Sequence, residues 1–159
     1  MSLAVLERAG FRSPRAGFVA NRLIADDLPS EHINPQGFAV AAQTIKTWPA
    51  YTPSPLHHLS GQAGLLGLGE VFYKDESARF GLGSFKALGG AYAVYALLRE
   101  KLQLGDGSLL WTDQATRKAA KAITVCCATD GNHGRSVAWG AELFGASCVI
   151  FVHETVSQA

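Results

Sequence analysis

Apolar residues recur at helical spacing three times along this chain, and the stretches between them carry the turn chemistry. Phe38, Ala41, Ala42, Ile45 and Trp48 follow Asn34-Pro35, a capping asparagine and a proline suited to a first helical position. A helix is predicted from there until Pro49 closes it. A second stripe, Leu88, Tyr92, Tyr95, Leu98 and Leu102, predicts a helix that starts near Ser84 and ends at Gly105-Asp-Gly107. Ala122 to Ala128 is a continuous apolar run, as expected for a strand covered on both faces. After Thr129-Asp-Gly-Asn-His-Gly134 a third helix runs through Phe144, with Gly145 as its C′ residue. A second buried strand is predicted over residues 146–153. Strand, turn, helix and strand make a βαβ unit, so the fold class is α/β with a parallel sheet.

The remaining segments are less patterned. Tyr51 to Leu56 is an extended, proline-punctuated connector, and Gly61 to Gly69 is glycine-rich and reads as a loop. Glu70 to Lys74 is a short strand candidate, and Ala115 to Lys121 a short helix within a polar stretch. Residues 1–33 are irregular and mixed.

Composition narrows the function classes. The chain has 159 residues, 48% hydrophobic and 17% charged, with a formal net charge of +1. That suits a soluble domain with one core, and gives no electrostatic case for nucleic acid or an anionic membrane as partner. Cys126, Cys127 and Cys148 lie in apolar runs and form no C-x-x-C pair. They are expected to be small buried hydrophobes in a reducing compartment, not disulfides or zinc ligands. With no signal-peptide core at residues 1–8 and no apolar stretch long enough to span a bilayer, a cytoplasmic location is expected.

Two short segments carry candidate chemistry. Lys86 falls in the first turn of the second helix, at the pole where the macrodipole favours acids, and Gly89 and Gly90 weaken the helix behind it. A lone lysine there suits a surface position with its stem packed on the helix. That is the commoner case, the other being a nucleophilic amine whose protonated form the positive pole disfavours, with glycines admitting a flat ligand. The stretch Gly81-Leu-Gly-Ser-Phe-Lys86 is not a P-loop, whose spacing and following hydroxyl it lacks, nor a dinucleotide fingerprint, whose third glycine is replaced by Lys86. In the second segment Asp130 is either a helix N-cap or a carboxylate general base at the carboxyl end of a parallel strand. Asn132 can hold a phenolate-type oxygen, and His133 has no visible partner. His57-His58 would need further ligands from elsewhere to bind metal, so no metal site is assigned.

Lys74-Asp-Glu-Ser-Ala-Arg-Phe-Gly-Leu-Gly-Ser-Phe-Lys-Ala-Leu-Gly-Gly90, followed by Thr129-Asp-Gly-Asn-His-Gly134, resembles the fold type II pyridoxal-phosphate enzymes of the tryptophan synthase β-like superfamily. Within it, the wording around Lys86 and the aspartate before Gly-Asn-His resemble the diaminopropionate ammonia-lyase family. The resemblance runs from the Thr52-Pro connector to residue 159 and implies a three-layer αβα fold. Residues 1–85 would contribute to a large cofactor domain, and residues 86–159 would open a small α/β domain. Lys86 would bond pyridoxal 5′-phosphate covalently, flanked by Phe85, with Asn132 beside the cofactor's 3′ oxygen. Asp130, where threonine dehydratases carry serine, would be the second acid–base group. The implied reaction is α,β-elimination of D- or L-2,3-diaminopropionate, a small amino-acid substrate, to pyruvate and ammonia, in a homodimer.

Two departures stand out. The superfamily's Thr-Pro-Leu reads Thr52-Pro-Ser-Pro-Leu56 here, and the loop expected to hold the cofactor phosphate is not within these residues. Weak cofactor holding is therefore expected of the chain alone. The alternatives at this stage are a threonine/serine dehydratase-like lyase and a non-catalytic fragment packed on a partner.

Overall fold

A computed structural model describes residues 34–105 and 112–156. The irregular reading of residues 1–33, and Asp106 and Gly107 as helix terminators, lie outside the described residues. The described chain divides into two compact units, one built from Ser54–Asp75 and the residues up to Ala39, the other from Val40–Pro53 and Glu76 onward.

Helix α1 (Pro35–Lys46) begins where Asn34 predicts it, with Asn34 Oδ1 accepting the Gly37 N–H at 2.7 Å. In the first unit, β1 (Leu56–His58) pairs antiparallel with β2 (Phe72–Lys74), placing His57 opposite Tyr73 and His58 opposite Phe72. Both pairs stack, and Lys74 Nζ donates to the Ser54 carbonyl at 2.7 Å. The loop expected over 61–69 is instead helix α2 (Ser60–Leu66), closed by Gly67 at φ 65°. Gly61 and Gly64 hid it, because glycine is a poor helix former. The tertiary setting overrides that propensity, seating Ala63 as the buried residue of the turn.

The second unit holds α3 (Lys86–Lys101), α4 (Gln114–Ala120), β3 (Thr124–Ala128), α5 (Asn132–Phe144) and β4 (Ser147–Phe151). Strands β3 and β4 pair in parallel across α5, Val125 opposite Cys148 and Cys127 opposite Ile150, so the βαβ unit forms as its sequence predicts. Asp113 caps α4 by accepting the Thr116 N–H at 2.8 Å. The far end of α5 is closed twice. Gly145 takes φ 85°, and the Arg117 guanidinium donates to the Leu143 and Glu142 carbonyls, a cation at the negative pole.

The core packs Trp48, Val94, Tyr95, Leu98 and Phe144 with small residues of α3 and α5. Two expectations change here. The buried face of α3 is Ala87, Gly90, Ala91, Val94, Tyr95 and Leu98, while Leu88 and Tyr92 are only half-buried. The stripe read from large residues was centred too far round, because α5 approaches closely enough to admit only small side chains. Strand β3 is not covered on both faces: Thr124, Cys126 and Ala128 are exposed, and Val125 is its one buried residue. Accordingly Cys126 is exposed and Cys127 and Cys148 are half-buried, where buried thiols were expected. All three are free. Among the described residues no helix is long and apolar enough to cross a membrane.

Candidate active site at the shared end of two helices

Lys86 is the first residue of α3 and Asn132 the first of α5. Their relation follows from the seam between the helices. An ideal Cβ at Gly90 would lie 1.9 Å from Ser136 Oγ, and one at Gly140 would lie 2.7 Å from Ala91 Cα. Further along, the Tyr95 and Phe144 rings have centroids 5.6 Å apart. The contacts 90 with 136, 91 with 140 and 95 with 144 advance together, so the helices run parallel. At about 1.5 Å per residue, Lys86 lies about 6 Å before Gly90 and Asn132 about 6 Å before Ser136. Both N-termini therefore open at one end of the pair, the end reached by the loop that leaves β3. Neither helix has an acidic residue in its first turn, so two positive poles meet there.

The segment leading into Lys86 is closely built. Ser84 is buried, and its hydroxyl accepts the Lys86 N–H at 3.2 Å, although the helical residues start two positions later. Phe85 is 58% exposed, and Lys86 Nζ sits 5.0 Å from the centroid of its ring. The two glycines behind Lys86 have opposite roles. Gly90 is where Ser136 fits, whereas a Cβ on Gly89 would meet nothing within 4 Å. Only Gly89 can leave room for a ligand; Gly90 leaves room for α5.

On the α5 side, the residue preceding the helix is Gly131, at the position where the sequence suggests Asp130 as a cap, and it has no side chain to cap with. Asp130, Asn132 and His133 are exposed, and a Cβ on Gly131 would again meet open space. Asp130 and Gly131 line a cleft of about 270 Å³ with Thr129, Gly134, Arg135 and Ile150. Arg135, passed over in the sequence, adds a cation to the wall that holds Asp130. The spacing Asp130 to Arg135 across a helix start could have flagged it.

The other residue missed was Arg79. It is 8% exposed, its Nε and Nη2 bond both Glu76 carboxylate oxygens at 2.7 and 2.9 Å, and its Nη1 bonds the Thr52 carbonyl at 2.9 Å. The Glu76 bond holds its pKa above the ordinary arginine value, against the opposing effect of burial. Burial raises the Cys148 thiol, with smaller contributions from Cys127 and Cys126. His57 Nε2 lies 3.9 Å from the Asp75 carboxylate, and no group of three or more His, Cys, Asp or Glu suited to a metal occurs among the described residues.

Comparisons with known proteins bear on this end of the molecule. A family model described as pyridoxal-phosphate dependent enzyme matches residues 47–159. A diaminopropionate ammonia-lyase of Salmonella typhimurium is 46% identical over 110 residues, 67% of this chain and 27% of the relative. One from Escherichia coli is 44% identical over 108 residues, 68% of this chain and 27% of the relative. Among solved structures, the Escherichia coli enzyme in complex with an aminoacrylate-PLP azomethine reaction intermediate matches with TM-score 0.67 and 39% identity, covering 78% of this chain and 30% of that one. Its apo form matches with TM-score 0.63 and 40% identity, covering 76% and 32%. The chain thus spans less than a third of the length of each of these relatives.

Proposed function

The chain belongs to the pyridoxal-phosphate dependent enzymes, matched over residues 47–159, and from that premise we propose that it carries the lysine-bearing part of a diaminopropionate ammonia-lyase. The reaction is α,β-elimination of D- or L-2,3-diaminopropionate to pyruvate and ammonia. The observation that carries this reading is the parallel packing of α3 and α5, which brings Lys86 and the Asp130–Asn132 loop to one open end. The cofactor is pyridoxal 5′-phosphate.

The residues present fit that group. Lys86 is an exposed primary amine, Gly89 and Gly131 leave open space where side chains would stand, and the two helix N-termini favour an anionic ligand. Lys86 would hold the cofactor covalently, Phe85 would offer a ring beside it, and the Asn132 amide would hold its 3′ oxygen. When bound, pyridoxal phosphate supplies the electron sink for the pair left on Cα. Once the substrate amine takes its place on the cofactor, Lys86 would exchange protons with Cα from one face and Asp130 from the other, which would accommodate both enantiomers. In the same reading, residues 1–85 contribute to a large cofactor domain and residues 86–159 open a small one, and the enzyme is a cytoplasmic homodimer.

Pyridoxal phosphate titrated to high concentration into the chain should give a visible absorption band that Lys86→Ala abolishes, and diaminopropionate should be consumed with release of ammonia only slowly, in line with weak cofactor holding. Asp130→Asn should depress turnover of one enantiomer far more than the other. Equal loss for both enantiomers contradicts the two-base assignment. Preference for serine or threonine over diaminopropionate would point to the dehydratase-like alternative.

A further inference from the structure

We propose that Arg79 is a positioning residue for Lys86: its fork to Glu76 and Thr52 fixes the loop that presents the amine. The proposal rests on Lys86 being the cofactor lysine. Between Glu76 and Lys86 the backbone turns through three left-handed residues, Phe80 at φ 48°, Gly81 at φ 71° and Gly83 at φ 66°. Glycine adopts that region freely, but for a bulky aromatic it is strained, and strain persists only where surrounding contacts impose it. The Phe80 ring supplies one such contact, stacking on Trp139 with centroids 4.6 Å apart. Trp48 and Tyr51 pack on the same ring, and Arg79 holds the loop beside it.

Its guanidinium carbon lies 5.7 Å from the centroids of both the Tyr51 and Phe80 rings. Its three bonded nitrogens reach Glu76, at the start of the loop, and Thr52, 27 residues away in sequence. The Arg79 carbonyl accepts the Leu82 N–H at 2.9 Å, and two residues on, Ser84 receives the Lys86 N–H. The path from fork to amine is therefore a chain of consecutive constraints. Lysine cannot replace the fork, because an ammonium has no planar pair of donors to match a carboxylate. A merely structural Arg79 would matter for stability and leave the chemistry of Lys86 alone.

The test is selective labelling with pyridoxal 5′-phosphate. A lysine nitrogen bonds the aldehyde carbon as one water leaves. Hydride from borohydride and a proton from water then fix the adduct as a secondary amine, and peptide mass spectrometry locates it. The readout is the labelling ratio of Lys86 to Lys101, which is exposed at the far end of the same helix. Folding is followed by circular dichroism and by the fluorescence of Trp48 and Trp139. In Arg79→Lys, Arg79→Met and Glu76→Gln the ratio should fall at least tenfold with the folded signals kept. An unchanged ratio in folded variants overturns the positioning role and leaves the function standing. Unfolding of all three variants makes the fork structural and overturns it too. A ratio near one in the unmodified chain removes the cofactor lysine, and both readings with it.

Discussion

The α3–α5 pair has a closed seam and an open rim, and Gly89 and Gly90 sit on either side of that divide. Along the seam, Gly90 meets Ser136 and Gly140 meets Ala91, with no space for a single added carbon. At the rim, Gly89 and Gly131 face open space and Lys86, Phe85, Asp130 and Asn132 are exposed. Two adjacent glycines therefore answer to different demands, one to packing and one to access. The seam shapes the rim, since close parallel packing is what sets two helix N-termini side by side.

Substitutions should separate the two regions sharply. Gly140→Ala drives a Cβ to 2.7 Å from the Ala91 backbone, which cannot rotate away, and should cost roughly 3 kcal/mol in urea unfolding. Loss below 1 kcal/mol would mean that the helices part easily. Gly90→Ala should cost roughly 2 kcal/mol, because its nearest obstacle is the Ser136 hydroxyl, although that hydroxyl is bonded to the His133 carbonyl at 2.7 Å. Gly89→Ala should have the opposite sign, stabilising the chain by about 0.5–1 kcal/mol through helix propensity. A destabilised Gly89→Ala protein would mean that Gly89 belongs to the seam and not to the rim. Smallest is a reactivity difference across the sheet. Cys126 on the open side should alkylate first. Cys148, with its thiol pKa raised by burial, holds less thiolate at a given pH and should lag until the pH is increased. Equal rates at neutral pH would contradict the one-sided cover of β3.

Local chemistry was readable where one residue decides the outcome. The Asn34 cap, the Gly145 stop, the βαβ order and the Lys86 and Asp130 loops needed no long-range knowledge. What escaped depends on a neighbour distant in sequence. The small-residue face of α3 exists because α5 lies against it, and periodicity in large residues pointed past it. Helix α2 survives glycines that argue against it. The open side of β3 reflects what packs on the strand and not its apolar run. Arg79 looked like part of a motif, and its role appeared only once Thr52 was found beside it.

If the rim is the cofactor site, Lys86 is the amine that takes pyridoxal 5′-phosphate. Reductive trapping of pyridoxal 5′-phosphate on the intact chain, mapped by peptide mass spectrometry, tests it directly. One dominant adduct is expected, on Lys86, that disappears in Lys86→Ala while the protein remains folded. Adducts spread over exposed lysines such as Lys101 and Lys121, unchanged by Lys86→Ala, would contradict it.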